Sequence, residues 1–246
     1  MSPNPLDGRV ALVTGAGVRV GRAIALALAE AGADVAVHYR GSAADAEQAA
    51  AFIRAAGRRS VTLAADLSRP DACSELVRAA AASLGGLDIL VHSAANFHRA
   101  SLAQTDAALW DDAMNLNARA GFLLAREAAP LLRARKGRVV FISDLLARVP
   151  VQNYAAHAVS KAAVEGIVRA LAIELAPEVS VNGVAPGTVL VPAGTSAELA
   201  ARWAAEAPLG RNGSAEDVAA AVTFLCSGPS FITGQIVRVD GGKSLR

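Results

Sequence analysis

The feature that most constrains this chain is alternation. Seven short runs rich in β-branched residues fall at 9–14, 34–39, 60–65, 87–93, 137–143, 179–185 and 235–240, with alanine-rich segments of helical period between them. A strand followed by a helix and then another strand makes a crossover unit. A series of such units builds a parallel sheet with helices on both faces. Runs such as "RVALVT" and "GRVVFIS" are apolar almost throughout rather than alternately, which suits a sheet covered on both sides. The two longest helical segments span about 106–135 and 152–176, the second closed by Pro177. No repeat, low-complexity tract or linker breaks the pattern. The expected fold class is therefore α/β, one doubly wound parallel-sheet domain over residues 1–246.

Composition narrows the function. A net charge of +2 gives no reason to invoke nucleic acid or an anionic membrane surface. No apolar stretch approaches the ~20 residues that span a bilayer, and the N-terminal "MSPNPLDGRV" has no secretion-signal pattern. Cys73 and Cys226 lack metal-ligand spacing and read as buried free thiols, so no metal site is expected. The expected location is the cytoplasm, and the expected partner is a small-molecule substrate.

"VTGAGVRVGRA" lies where the first strand meets the first helix. Gly15 and Gly17 let the backbone turn tightly beside a pyrophosphate. Gly21 lets the helix pack on the strand, with its N-terminus toward the anion. An NAD site wants an acidic residue ~20 residues further on, at the end of the second strand. This chain has "VHYRGS" there, with no carboxylate at 38–42. Arg19, Arg40 and the Ser42 hydroxyl can hold a 2′-phosphate instead, so NADPH/NADP+ is the expected cofactor. Asp66 is placed either to accept a hydrogen bond from the adenine amino group or to cap the helix that begins near Pro70.

Together with "NARAGF" from Asn117, Lys161, "NGVAPG" at 182–187, "PLGRNGSAEDVAAAVTFLCS" at 208–227 and "ITGQIVRVDGG" at 232–242, this loop resembles the short-chain dehydrogenase/reductase family. The resemblance covers nearly the whole chain. It implies a Rossmann-type domain, a nicotinamide cofactor, hydride transfer and a homotetramer built on the two long helices. It adds Val20, Tyr39, Leu67, Ser93, Ala94 and Lys161 to the cofactor contacts. Pro186 and Gly187 then shape the turn beneath the nicotinamide, and the Val189 backbone meets its carboxamide. The family's tetrad is Asn, Ser, Tyr and Lys. Asn117 and Lys161 match it, but Asp144 stands at the serine position and His157 at the tyrosine position.

Several departures resemble one branch, the pteridine reductases. Arg19 stands at the middle glycine of the loop, "HYRGSAADA" looks like that branch's 2′-phosphate segment, and Asp144 replaces the serine. Phe97 falls where the branch has a pterin-stacking phenylalanine, and Tyr154 on its second tyrosine. Against this, the family's "NNAG" is "HSAA" here, and the branch keeps its catalytic tyrosine.

Tyr154, His157 and Lys161 are spaced to share one helical face. Three proton routes follow: His157 donates, held by Asp144; Tyr154 donates from ~5.4 Å along the helix; or Asp144 carries the proton through water while His157 orients it. A C=N nitrogen is more basic than a ketone oxygen and needs a weaker acid, which suits an Asp–His pair. A short lid at about 190–208 carries Trp203, which either covers the substrate or makes packing or subunit contacts. The expected function is an NADPH-dependent reductase of a small flat C=N or C=O substrate, with a dihydropterin as the candidate named by the resemblance. The alternatives are a general carbonyl or 3-oxoacyl reductase, and a non-catalytic NADP(H)-binding sensor or scaffold.

Overall fold

A computed structural model describes residues 4–191 and 194–245. Pro192 and Ala193, within the expected lid, lie outside the described residues, as do the ends of the 1–246 span. Seven strands form one sheet in the order β3-β2-β1-β4-β5-β6-β7, every pairing parallel. They are β1 Val10–Thr14, β2 Asp34–Tyr39, β3 Ser60–Ala64, β4 Ile89–His92, β5 Arg138–Ile142, β6 Ser180–Pro186 and β7 Ile236–Val239. Each falls on an expected run, trimmed or shifted by a residue or two at its ends.

β1, β4 and β5 are buried almost from end to end because helices cover both faces. On one side α1 (Arg19–Glu30), α2 (Ala43–Ala55) and α8 (Ala215–Ser227) supply Ile24, Leu28, Ile53, Val218 and Val222. On the other, α3 (Pro70–Leu84), α5 (Ala120–Arg135) and α6 (Ala155–Glu174) supply Leu76, Val77, Leu124, Leu132, Val164 and Val168. Alanines on these helices let them lie close to the sheet. Each fully buried leucine or valine contributes about 1.5–3 kcal/mol.

β1 sits between β2 and β4, so the chain reverses its winding there. Doubly wound sheets bind ligands at that crevice, beyond the carboxyl ends of the strands. The crevice is braced by Thr14, whose Oγ1 accepts from the Ser93 and Ala94 amides, both at 3.0 Å.

The expected helix 106–135 is divided. α4 (Ala107–Ala113) passes into a π-helical turn, Met114–Arg119, before α5 begins. Such turns recur at functional sites. This one buries Asn117 and brings the Leu116 carbonyl to His92 Nε2 at 3.3 Å. The lid helix α7, Ala197–Glu206, buries no residue of its own. It is N-capped by Ser196 and held by Asn212 Nδ2 donating to the Ala200 carbonyl and by a Lys243–Glu206 ion pair. Among the described residues no helix is long and apolar enough to cross a membrane. Cys73 and Cys226 are free and buried, and burial pushes their thiols up to about 11 and about 12.

Candidate active site

The glycine loop is as tight as its sequence requires. Gly15 has φ +64°, and a Cβ there would sit 2.9 Å from the Ala94 Cα. A Cβ on Gly21 would lie 2.1 Å from the Gly15 carbonyl oxygen, so only glycine lets α1 close on the loop. Arg19 opens α1 at φ +54°, a left-handed conformation where glycine is the unstrained choice. α1 has no side-chain N-cap and no acidic residue in its first turn. An anion is the natural partner for those unpaired amides.

Arg19 and Arg40 are exposed, and no hydrogen bond or ion pair engages either guanidinium among the described residues. Ser42 precedes α2, and a Cβ on Gly17 would meet its Oγ. Arg40 and Asp66 share a groove of about 410 Å³ that continues over Leu63, Arg69 and Leu76. One of the two readings of Asp66 is corrected here. α3 is preceded by Arg69 without a side-chain cap, so Asp66 does not cap it. Asp66 Oδ1 instead accepts from the Ser68 hydroxyl at 2.8 Å and amide at 3.1 Å. Those bonds, with Arg40 and Arg69 nearby, hold its carboxyl below the usual range.

The remaining expected cofactor residues line the same crevice or back it. Val20 and Tyr39 are partly buried against the core, and Leu67 is fully inside it, so Leu67 can offer a ligand only its backbone. Ser93 and Ala94 are fixed by Thr14, and Pro186 ends β6. A Cβ on Gly187 would meet Asp240 at 2.9 Å, and Val189 is buried beside Gly213.

At the carboxyl ends of β4 and β5 the four residues expected as a tetrad come together. His157 is buried on the first turn of α6. Its Nδ1 lies 3.1 Å from the Asn96 carbonyl oxygen and its Nε2 lies 3.3 Å from Asp144 Oδ2. A carbonyl only accepts, so Nδ1 carries a proton. Nε2 then faces a carboxyl oxygen at hydrogen-bond distance. The side chain of Asp144 is 27% exposed against 3% for His157, so the carboxyl is the open face of the pair. Asp144 Oδ1 is held by the Leu146 amide at 2.8 Å.

Phe97 forms the wall. Its ring lies 4.5 Å from the His157 ring, edge-on, and 4.7 Å from that of Tyr154, and it remains 57% exposed. Tyr154 is the residue before α6, with non-helical φ −129° and ψ 26°, rather than part of its first turn. Asn117 is fully buried: Oδ1 accepts from the Asn96 amide at 2.9 Å, and Nδ2 donates to Ser160 Oγ at 2.9 Å and to the Asn96 carbonyl at 3.3 Å. Lys161 is buried too, its Nζ donating to the Ile142 carbonyl at 2.8 Å. Burial lowers its ammonium to about 8, while the Asp144 charge opposes that shift. Trp203 sits partly buried on α7.

Three residues of this region escape a reading by motif. Asn96 links Asn117 to His157 through its backbone amide and carbonyl, so its side-chain identity carries no signal. His38 and His92 were legible in principle, as polar residues inside otherwise apolar strands. His38 Nδ1 accepts from the Gly15 amide at 3.0 Å, and His92 Nδ1 meets the Thr14 hydroxyl at 3.1 Å.

Comparison with known proteins finds relatives over nearly the whole chain. The family model described as enoyl-(acyl carrier protein) reductase matches residues 15–244. A short-chain type dehydrogenase/reductase of Picea abies is 38% identical over 252 residues, covering 97% of this chain and 93% of that protein. An NADPH-dependent aldehyde reductase-like chloroplastic protein of Arabidopsis thaliana is 36% identical over 258 residues, with 98% and 96% covered. The crystal structure of a short chain dehydrogenase from Burkholderia cenocepacia in complex with NADP superposes with a TM-score of 0.92 at 38% identity, covering 98% of this chain and 99% of that one.

Proposed function

The chain belongs to the short-chain dehydrogenase/reductase family, and from that premise we propose that it is an NADPH-dependent reductase of a small flat C=N or C=O compound, of which a dihydropterin is the type. The observation that carries this reading is the Asp144–His157 pair: an imidazole buried against Phe97 whose Nε2 lies 3.3 Å from the more exposed Asp144 carboxyl.

The residues present fit the cofactor. The uncapped start of α1 and the tight loop at Gly15 suit a pyrophosphate, and Arg19, Arg40 and Ser42 suit a 2′-phosphate. Asp66 Oδ2, which makes no hydrogen bond among the described residues, is free for an adenine amino group. Lys161 would hold the nicotinamide ribose, and Pro186, Gly187 and Val189 the nicotinamide. When bound, NADPH supplies the hydride.

The chain's own part is the proton. Asp144 delivers it to the substrate nitrogen or oxygen. His157 Nε2 is the reservoir behind the carboxyl, and Nδ1 stays anchored on Asn96. The pair thereby goes from neutral to one net negative charge, and the Lys161 ammonium steadies the carboxylate left behind. Of the three routes read from sequence, this geometry supports donation through Asp144. His157 is enclosed, with both nitrogens engaged. Tyr154 stacks on Phe97 and suits the orienting of a flat ring. Asn117 spends its side chain on Asn96 and Ser160, which makes it a positioning residue.

A weak acid of this kind favours a basic C=N over a simple ketone, and the exposed face of Phe97 favours a planar substrate. The test is turnover of NADPH against a panel of dihydropterin, cyclic imine, aldehyde and ketone. Reduction of the C=N compounds ahead of the ketones is expected. A preference for plain ketones or acyl thioesters would instead make the chain a general carbonyl or 3-oxoacyl reductase, as the aldehyde reductase-like relative suggests. NADPH binding with no turnover would make it a binder.

A further inference from the structure

We propose that His38 is a positioning residue for the dinucleotide site, a strut that sets the phosphate loop and the adenine floor at a fixed separation. This rests on the nucleotide-binding reading above. His38 is the fifth residue of β2 and is 2% exposed, with no route to substrate. It touches the loop twice. Its carbonyl accepts from the Ala16 amide at 2.8 Å, and its Nδ1 accepts from the Gly15 amide at 3.0 Å. An amide can only donate, so Nδ1 is unprotonated and Nε2 carries the hydrogen. Nε2 then donates to the Ala65 carbonyl at 3.1 Å. Burial agrees, holding the imidazole neutral down to about 4.

The two ends of this strut are the two ends of the adenosine site. Gly15 begins the loop at φ +64°, pressed against Ala94 on its other side. Ala65 precedes Asp66, and both line the groove shared with Arg40. One imidazole therefore ties the end of β1 to the end of β3 across the end of β2. A neutral histidine suits the task because its two nitrogens offer one acceptor and one donor on opposite edges. No other side chain of that size offers both in a rigid ring.

The test separates the two bonds. His38→Asn places an acceptor near the Nδ1 position but does not reach Ala65. His38→Gln reaches Ala65 but offers Gly15 nothing at Nδ1. Measured by fluorescence titration, His38→Gln should weaken NADPH and NADH alike by roughly three- to tenfold, because both carry the pyrophosphate. His38→Asn, which severs the Ala65 end but keeps the loop bond, should also weaken both cofactors, by less than His38→Gln. KM for NADPH should follow the dissociation constants while kcat changes little. Equal affinity in wild type and His38→Gln, or equal losses in both variants tracking only their thermal stability, overturns the proposal. Should His38→Gln fail to fold, nitrogen NMR of the wild-type imidazole decides the matter. An unprotonated Nδ1 that shifts when NADPH binds supports the strut, and a protonated Nδ1 refutes it. A wild-type protein with no NADPH affinity overturns this inference together with the cofactor reading it stands on.

Discussion

Acidification should unfold this protein earlier than its carboxylates alone would, because two buried histidines are held neutral. His38 is lowered by burial to about 4 and His92 to about 3, each from 6.5. Geometry explains both. Nδ1 of His38 already takes the Gly15 amide proton. Thr14 Oγ1 accepts two amides, so its own hydrogen points to His92 Nδ1. A second proton on either ring would face a donor. In a basic group whose folded value is depressed, the stabilising contribution is fully present above the unfolded value of 6.5. It is lost as pH falls toward the folded values. At pH ~5 the unfolded chain binds nearly two more protons at these rings than the folded one. Stability should then fall by about 2.5 kcal/mol per pH unit from these two groups. Against a total of roughly 5–15 kcal/mol, that is decisive within two units. The assay is urea unfolding by far-UV circular dichroism from pH 7.5 to 4.5 at one protein concentration, for wild type, His38→Asn, His92→Asn and the double variant. Carboxylates add a background of the same sign, so the readout is the difference in slope. The double variant should be flatter by nearly two protons, and each single variant by nearly one. Identical slopes in all four proteins would refute the reasoning.

The 2′-phosphate contacts proposed for Arg19 and Arg40 should make NADPH bind tighter than NADH by about 1.5–3 kcal/mol per charge-assisted bond, and equal dissociation constants would count against them. Lys161 is lowered to about 8, so kcat should fall as pH rises through that value and the ammonium beside Asp144 is lost. A rate that stays level to pH 10 would remove Lys161 from the mechanism. Trp110, Phe122 and Val159 expose apolar surface on and beside the two long helical segments. These faces should pair in a homotetramer by light scattering at micromolar concentration, and a monomer there would contradict it.

The fold was legible because strands covered on both faces must be apolar throughout, a pattern that few other architectures impose. The runs around β1 and β5 carried that signal undiluted. The π-helical turn at Met114–Arg119 was illegible, since a change of hydrogen-bond register leaves no residue type behind. In the candidate site, position in the sequence singles out Asn117, Asp144, His157 and Lys161, and the structure brings them to one place. Position could not say how they connect. That depends on Asn96, which acts through its backbone, and on the unequal exposure of Asp144 and His157. Tyr154 was placed on a helical face by spacing, yet it sits just before the helix because its φ and ψ are not helical.

The account stands or falls on the Asp144–His157 pair as the source of the proton. The most direct measurement is single-turnover oxidation of bound NADPH by a dihydropterin or cyclic imine, with NADPH affinity measured alongside. Wild type should be compared with Asp144→Asn, His157→Gln and Tyr154→Phe. Loss of a positioned acid costs roughly 10²–10⁴-fold in rate. Asp144→Asn and His157→Gln should each lose that much while NADPH affinity holds, and Tyr154→Phe should lose far less. A fully active Asp144→Asn, or a Tyr154→Phe as dead as His157→Gln, would contradict it.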